Sequence, residues 1–167
     1  MEPITLTPIG VIRTPFTTFE GMPIQAVAAS NAQGVIELDP ACAAGLRDID
    51  GFSHLILLYH LHRMEAPTLE VTPFLDPQPR GVFATRSPKR PNGLGLSTVR
   101  LLGVAGTRLQ IADVDMLDGT PLLDIKPYVP HFDDRPNAQI GWFAAQIHRV
   151  DTVRSSAQPG ILPSEDR

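Results

Sequence analysis

Cysteine is nearly absent: the chain of 167 residues has one, Cys42, which excludes an internal disulfide and a thiolate metal cluster. No apolar run approaches the roughly 20 residues that a membrane span requires, so no membrane partner is expected. The opening Met1-Glu2-Pro3-Ile4 lacks the basic region and apolar segment of a secretory signal. Together these absences lead to the expectation of a cytoplasmic protein. No G-x-x-x-x-G-K-[ST] phosphate loop occurs, and Gly93-Leu94-Gly95 is not completed as a dinucleotide fingerprint, because Thr98 stands where the third glycine belongs. Internal repeats are missing as well. A net charge of −4 and a pI near 5.7 exclude a broadly basic, non-specific nucleic-acid surface, though not a local basic patch.

What is present points to one domain with a sizeable core, since hydrophobic residues make up 43% and charged residues 19%. The 17 prolines are dispersed, as rigid connections between short strands would be. Strands are expected over Ile4–Arg13, Gln33–Leu38, Phe52–Arg63, Leu69–Phe74, Gly81–Arg86, Leu96–Val104, Arg108–Ala112 and Pro121–Ile125. Thr14 to Val27 reads as a loop. Gly103 to Thr107 reads as a hairpin turn, and Asp39-Pro40 as a cap and first-turn proline opening a short helix to about Leu46. A second short helix is expected within Gln139–Val150. Phe52–Arg63 alternates, with Leu55, Leu57 and Tyr59 on one face and His54, Ile56, Leu58, His60 and His62 on the other. Being apolar on both faces at its middle, it is expected to be a central strand. Many short strands with few helices make a mainly β fold, a barrel or a sandwich.

The stretch from Gly81 to Ser97 stands out. No Asp or Glu lies between Pro77 and Ala112, while Arg80, Arg86, Lys89, Arg90, Arg100 and Arg108 all do. Pro88 and Pro91 forbid a helix there, and Asn92-Gly93 and Gly95 offer positions for positive φ. A solvated charged loop is one reading. A shaped loop that binds a carboxylate or a phosphate is the sharper one.

Further constellations flank it. His60 and His62 share a strand face at a spacing that can bind a metal, with His54 or Glu65 as a third ligand, but two histidines make a weak metal signal and none is assigned. Asp113-Val114-Asp115-Met116-Leu117-Asp118-Gly119 ends in an Asp-Gly turn; its carboxylates are either caps or a grip for a polar or cationic ligand. Asp124 and Lys126 fall on the same side of one strand, close enough for an ion pair, and Tyr128 follows. Cations at Arg86, Lys89 and Arg90, carboxylates at Asp115, Asp118 and Asp124, and apolar residues Leu96, Met116 and Leu117 would suit a zwitterion that carries an aromatic base.

These motifs resemble one family. Ile9-Gly10-Val11-Ile12-Arg13, Asp50-Gly51-Phe52-Ser53-His54-Leu55, Gly81 through Asn92 and Asp115 through Tyr128 are similar to the TrmO (YaeB-like, TsaA-like) family of S-adenosylmethionine-dependent tRNA methyltransferases. The resemblance implies a small β-barrel of short strands with one or two short helices over residues 1–150, and a homodimer; the few large apolar residues after Asp151 make 151–167 an expected flexible tail. It implies S-adenosyl-L-methionine as cofactor, held by Gln25, Ala26, Val27, His62, Arg63, Arg86, Leu96, Asp115, Met116, Leu117 and Asp118 near the dimer interface. The implied reaction methylates N6 of threonylcarbamoyladenosine beside the tRNA anticodon. Lys89, Arg90, Asn92 and Lys126 are expected to meet the substrate. The resemblance fixes no base; Asp124 and Tyr128 are the residues expected to assist deprotonation. Longer bacterial members carry a further C-terminal domain, whereas this chain stops at Arg167. A smaller acceptor, or a non-catalytic S-adenosylmethionine-binding module, therefore stands as the alternative.

Overall fold

The computed structural model describes residues 2–29, 31–64 and 66–155. Its strands are β1 (Gly10–Arg13), β2 (Gln33–Leu38), β3 (His54–His60), β4 (Glu70–Val71), β5 (Arg80–Gly81), β6 (Leu94–Ala105), β7 (Arg108–Ala112) and β8 (Thr120–Pro127). Six of them close into an antiparallel barrel in the order β1-β2-β7-β6-β3-β8, with β8 pairing back onto β1; β4 and β5 form a separate two-stranded ribbon. The mainly β expectation holds. The only α-helix among the described residues is the four-residue turn α1 (Pro130–Asp133), accompanied by short 3-10 turns.

Alternation builds the core. Leu55, Leu57 and Tyr59 of β3 point inward and meet Ile12, Ile36, Val99, Leu109, Ile111 and Leu122 from the other barrel strands. The opposite face of β3, including His54 and His60, looks outward, as the period of two requires. Strand β3 is flanked by β6 and β8, in keeping with its apolar middle. Strands β6 and β7 form the expected hairpin across Gly106-Thr107, where Gly106 takes φ +61°. An extra residue, Leu123, bulges β8 between the pairs Tyr59–Leu122 and Leu58–Asp124. Leu122 and Ile125 both face the core for that reason, and Asp124 faces out.

Several expected elements differ, each for a local reason. The first strand is shorter than Ile4–Arg13: Pro3 and Pro8 supply no donors, and Ile4 and Leu6 remain exposed. Leu69–Phe74 contracts to the two residues of β4. The loop from Thr14 to Val27 ends in a 3-10 turn, Ala26–Ala28. The helix opened by Asp39-Pro40 is a 3-10 helix, Pro40–Leu46, with the Asp39 carboxylate accepting from Ala41 N. Gln139–Val150 is two 3-10 turns, Gly141–Ala145 and Ile147–Arg149, beginning at Gly141 with φ +55°.

The most consequential difference is at Gly81–Arg86. The chain leaves β5 at Gly81 and coils into a 3-10 turn, Val82–Ala84. Thr85 N closes the turn onto Val82 O at 3.1 Å, and side chains reinforce it: Thr85 Oγ1 reaches Val82 O at 2.9 Å, and Arg90 Nη1 reaches Val82 O at 3.2 Å and Thr85 O at 2.9 Å. Val82, buried, plugs the turn onto the body.

Of the expected tail 151–167, the part up to Ser155 is held against residues 19–23: Ser155 N donates to Met22 O and Gly21 N to Ser155 O, both at 2.9 Å. Val150 is buried with Leu75 and Ala28 in a second small cluster. Residues 156–167, and Glu65, lie outside the described residues.

Candidate functional site

Beside β6 lies a crevice of about 520 Å³ lined by Gln25, Ala26, Val27, Asn31, His54, Arg86, Leu96, Ser97, Thr98, Asp113 and Asp115. Three separate segments converge on it: the 3-10 turn after Gln25, the basic loop at Arg86, and the β7–β8 connection at Asp115. Arginine and aspartate therefore face the same space. The guanidinium of Arg86 donates to Gln25 Oε1 at 2.9 Å, which orients both along the wall.

The connection that carries Asp115 is pinned by Asp113, a residue with φ +66°. Asp113 takes Arg100 Nε at 2.6 Å and Asn31 N at 2.9 Å, while Arg100 Nη2 donates to Asn31 Oδ1 at 2.6 Å. The bond to Arg100 holds the Asp113 carboxyl below its ordinary range. Asp113 is thus a locked anion that ties the 31 loop to the barrel.

Asp115 behaves differently. Burial pushes its carboxyl up to about 6, against the opposing pull of Ser97, of the amides of Asp115 and Ala26, and of the Arg86 charge. Ser97 Oγ donates to Asp115 Oδ1 at 2.6 Å. Since that uses the one hydroxyl proton of Ser97, the 2.9 Å contact between Tyr59 and Ser97 must have the phenol as donor. A chain of hydrogen bonds therefore runs from the buried Tyr59 through Ser97 to the crevice. Burial and the nearby Asp115 charge raise the Tyr59 phenol well above its ordinary value, so it stays protonated.

This relay depends on Gly95. It lies opposite Tyr59 in the β3–β6 register, and a Cβ there would sit 2.1 Å from the ring. Gly95 is a strand residue that makes room for an aromatic ring, not the turn expected from the sequence. Gly93, with φ +56°, is the turn glycine.

Of the residues expected at a cofactor, Gln25, Ala26, Val27, Arg86, Leu96 and Asp115 line the crevice and the rest do not. Met116 and Leu117 are buried, Met116 within the barrel core. Asp118 accepts from Thr14 N at 3.1 Å and lies 3.7 Å from Arg13. His62 is near enough to feel the Asp118 charge, but burial, then Arg63, lower its pKa; Arg63 donates to Thr17 O at 3.2 Å. Those three form a second group around residues 13–17.

The positive field is weaker than composition suggests. Arg80 pairs with Asp76, Arg100 with Asp113 and Arg108 with Glu37, all acids from outside the acid-free stretch. Arg90 is spent on backbone carbonyls. Lys89, Arg90 and Asn92 line a smaller hollow of about 210 Å³ with His60 and Gly93. Among the described residues no group of three or more His, Cys, Asp or Glu comes together at a metal-binding spacing.

Asp124 and Lys126 make the expected pair, 2.7 Å apart, on the outward face of β8. The Tyr128 hydroxyl donates to Asp134, which raises its pKa, and its ring meets His54 edge-on at 6.1 Å. Tyr128 thereby touches a crevice residue that Asp124 does not. Sequence reasoning missed Ser97, Thr98, Asn31 and Tyr59 as site residues; the strand alternation of β3 was the available signal for Tyr59.

A closed antiparallel barrel with an arginine-and-aspartate crevice on its flank defines a small ligand-binding β-barrel, distinct from the α/β nucleotide folds. Residues 11–134 match the tRNA-methyltransferase O N-terminal domain, and the chain belongs to that family. It is 49% identical over 155 residues to a probable S-adenosyl-L-methionine-binding protein of Pyrococcus abyssi, covering 93% of this chain and 84% of that one. It is 38% identical over 145 residues to the tRNA (adenine(37)-N6)-methyltransferase of Escherichia coli, covering 80% of this chain and 61% of the relative. The crystal structure of TrmO from Pseudomonas aeruginosa superposes with a TM-score of 0.71 at 38% identity, over 84% of this chain and 63% of that one. The chain thus spans about three fifths of the latter two proteins.

Proposed function

We propose that this protein is an S-adenosyl-L-methionine-dependent methyltransferase that acts on tRNA at N6 of adenosine 37, with the threonylcarbamoylated base as acceptor. The observation that carries this reading is the single crevice shared by Arg86 and Asp115. Its donor set suits the cofactor: the guanidinium of Arg86 and the amide of Gln25 for a carboxylate, Asp115 for an ammonium or ribose hydroxyls, Val27 and Leu96 for the adenine. When bound, the cofactor supplies an electrophilic methyl on a sulfonium. The chain's own residues position the acceptor nitrogen, the larger part of catalysis when no strong base is present. Asp124 and Tyr128 assist removal of the N6 proton. Asp124 takes the proton on its carboxylate, and Tyr128, whose own hydroxyl proton goes to Asp134, orients the N6–H as a hydrogen-bond acceptor at the rim beside His54.

In this reading the protein works as a cytoplasmic homodimer. Leu94 and Leu96, outward on β6 and 40% and 54% exposed, favour a second copy near the crevice.

Two measurements test the proposal. Calorimetry should show S-adenosyl-L-methionine binding by the wild-type protein. Mass spectrometry of nucleosides from tRNA incubated with protein and cofactor should show a methylated threonylcarbamoyladenosine. Binding without methyl transfer to any tRNA would leave a cofactor-binding module, the activity in the name of the Pyrococcus relative.

A further inference from the structure

The geometry points to Phe83 as a stacking platform for an unpaired RNA base, a reading that rests on tRNA being the acceptor. Phe83 is 73% exposed although it is a large apolar ring. It is not presented by a loose loop. Its 3-10 turn is held from below by the buried Val82, and its carbonyls are taken by Thr85 and Arg90. Trp142 Nε1 donates to Ala84 O at 2.8 Å and braces the turn from the other side. Cations are interleaved with the rings: the Arg90 guanidinium lies 5.9 Å from the Phe83 centroid, and that of Arg80 lies 5.4 Å from Trp142, which itself stacks on Phe143 at 3.9 Å.

A rigid exposed ring with the Arg90 guanidinium over it matches what single-stranded nucleic acid needs, a π-face for the base and a positive charge near the backbone; Arg90 bonds to carbonyls and keeps its charge, whereas Arg80 is already paired with Asp76. An apolar protein surface would find the Arg90 cation a desolvation cost. Placement favours the same occupant, because Arg86, three residues along the segment, lines the crevice. A base stacked on Phe83 would lie along the segment that leads to the methyl donor's site.

The test measures binding of a fluorescein-labelled anticodon stem-loop by anisotropy, for wild type and for Phe83→Ala, Phe83→Leu and Phe83→Trp. S-adenosyl-L-methionine affinity and sedimentation velocity are measured on each variant. The expectation is that Ala and Leu weaken stem-loop binding roughly fivefold to a hundredfold, the range for loss of one base stack. Trp should retain it, binding of a fully paired RNA should change little, and cofactor affinity should be unaltered. Stem-loop affinity equal to wild type in Phe83→Ala overturns the inference alone. So does equal rescue by Leu, which would mean apolar contact without stacking, or conversion of a dimer to monomer by Phe83→Ala, which would make the ring a subunit contact. A wild-type protein that binds cofactor but no stem-loop overturns the tRNA assignment itself.

Discussion

Replacing Gly95 with alanine tests whether the relay behind the crevice is built as described. The added Cβ would fall 2.1 Å from Tyr59 Cε2, 2.5 Å from Cζ and 2.6 Å from Cδ2, distances at which something must move. The ring is only 5% exposed and is enclosed by the barrel core, so it has little room to retreat. Overpacking of this kind costs about 1–3 kcal/mol. Displacing the phenol from Ser97 removes a buried hydrogen bond, roughly a further 0.5–1.5 kcal/mol. Urea denaturation should therefore show Gly95→Ala destabilised by roughly 2–4 kcal/mol, with an unchanged m-value. The control is the same substitution in a Tyr59→Val background, where none of the three clashing atoms exists. There the penalty should nearly vanish, giving a coupling energy of roughly 2–4 kcal/mol in a double-mutant cycle. An equal penalty in both backgrounds would refute the steric argument and remove the reason given for a glycine in this strand.

Other outcomes follow from the same geometry. The Asp115 carboxyl is raised from an ordinary 3.8 to about 6, so the folded state prefers it protonated; its ionisation should cost stability progressively as pH rises from about 4 to 6, up to roughly 3 kcal/mol. Asp115→Asn should remove that slope in unfolding measured without cofactor, and a wild-type profile parallel to the variant's would contradict it. Arg86→Ala should weaken S-adenosyl-L-methionine binding roughly tenfold to a hundredfold by calorimetry, the value of a sheltered charge-assisted hydrogen bond, and unchanged affinity would move the cofactor elsewhere. The double variant Asp124→Asn, Tyr128→Phe should lose about a hundredfold or more in single-turnover methyl transfer while binding cofactor normally; a much smaller loss would leave neither residue with the role.

The convergence of Arg86 and Asp115 was legible because both stand in motifs, and the barrel because β3, β6, β7 and β8 alternate plainly. What stayed hidden is what pairing register decides. Nothing local to Gly95 says that it will lie opposite Tyr59, yet that pairing turns a presumed turn residue into the floor of an aromatic site. Gly81–Arg86 looks extended by propensity, but the Thr85 amide closes a turn onto Val82 O that the Thr85 hydroxyl and the more distant Arg90 reinforce. The basic stretch reads as unopposed because its acids lie just outside it, Asp76 and Asp113 at its two ends and Glu37 far along the chain, and the pairs Arg100–Asp113 and Arg108–Glu37 form only when β7 docks beside β6 and β2. Met116 and Leu117 sit in a motif with Asp115 but are buried, Met116 in the barrel core, and an irregular connection carries no periodicity from which that could be read.

The barrel's closure bears on how copies of this protein can meet. Each of the six barrel strands has a neighbour on both sides over part of its length, but β6 meets β7 only from Arg100 onward, so its Leu94–Val99 half is paired with β3 alone. Association at that half of β6 can draw on main-chain groups as well as on side chains such as Leu94 and Leu96. A proline at an outward position of that half would block the main-chain part, and a charged residue in place of Leu94 would block the side-chain part.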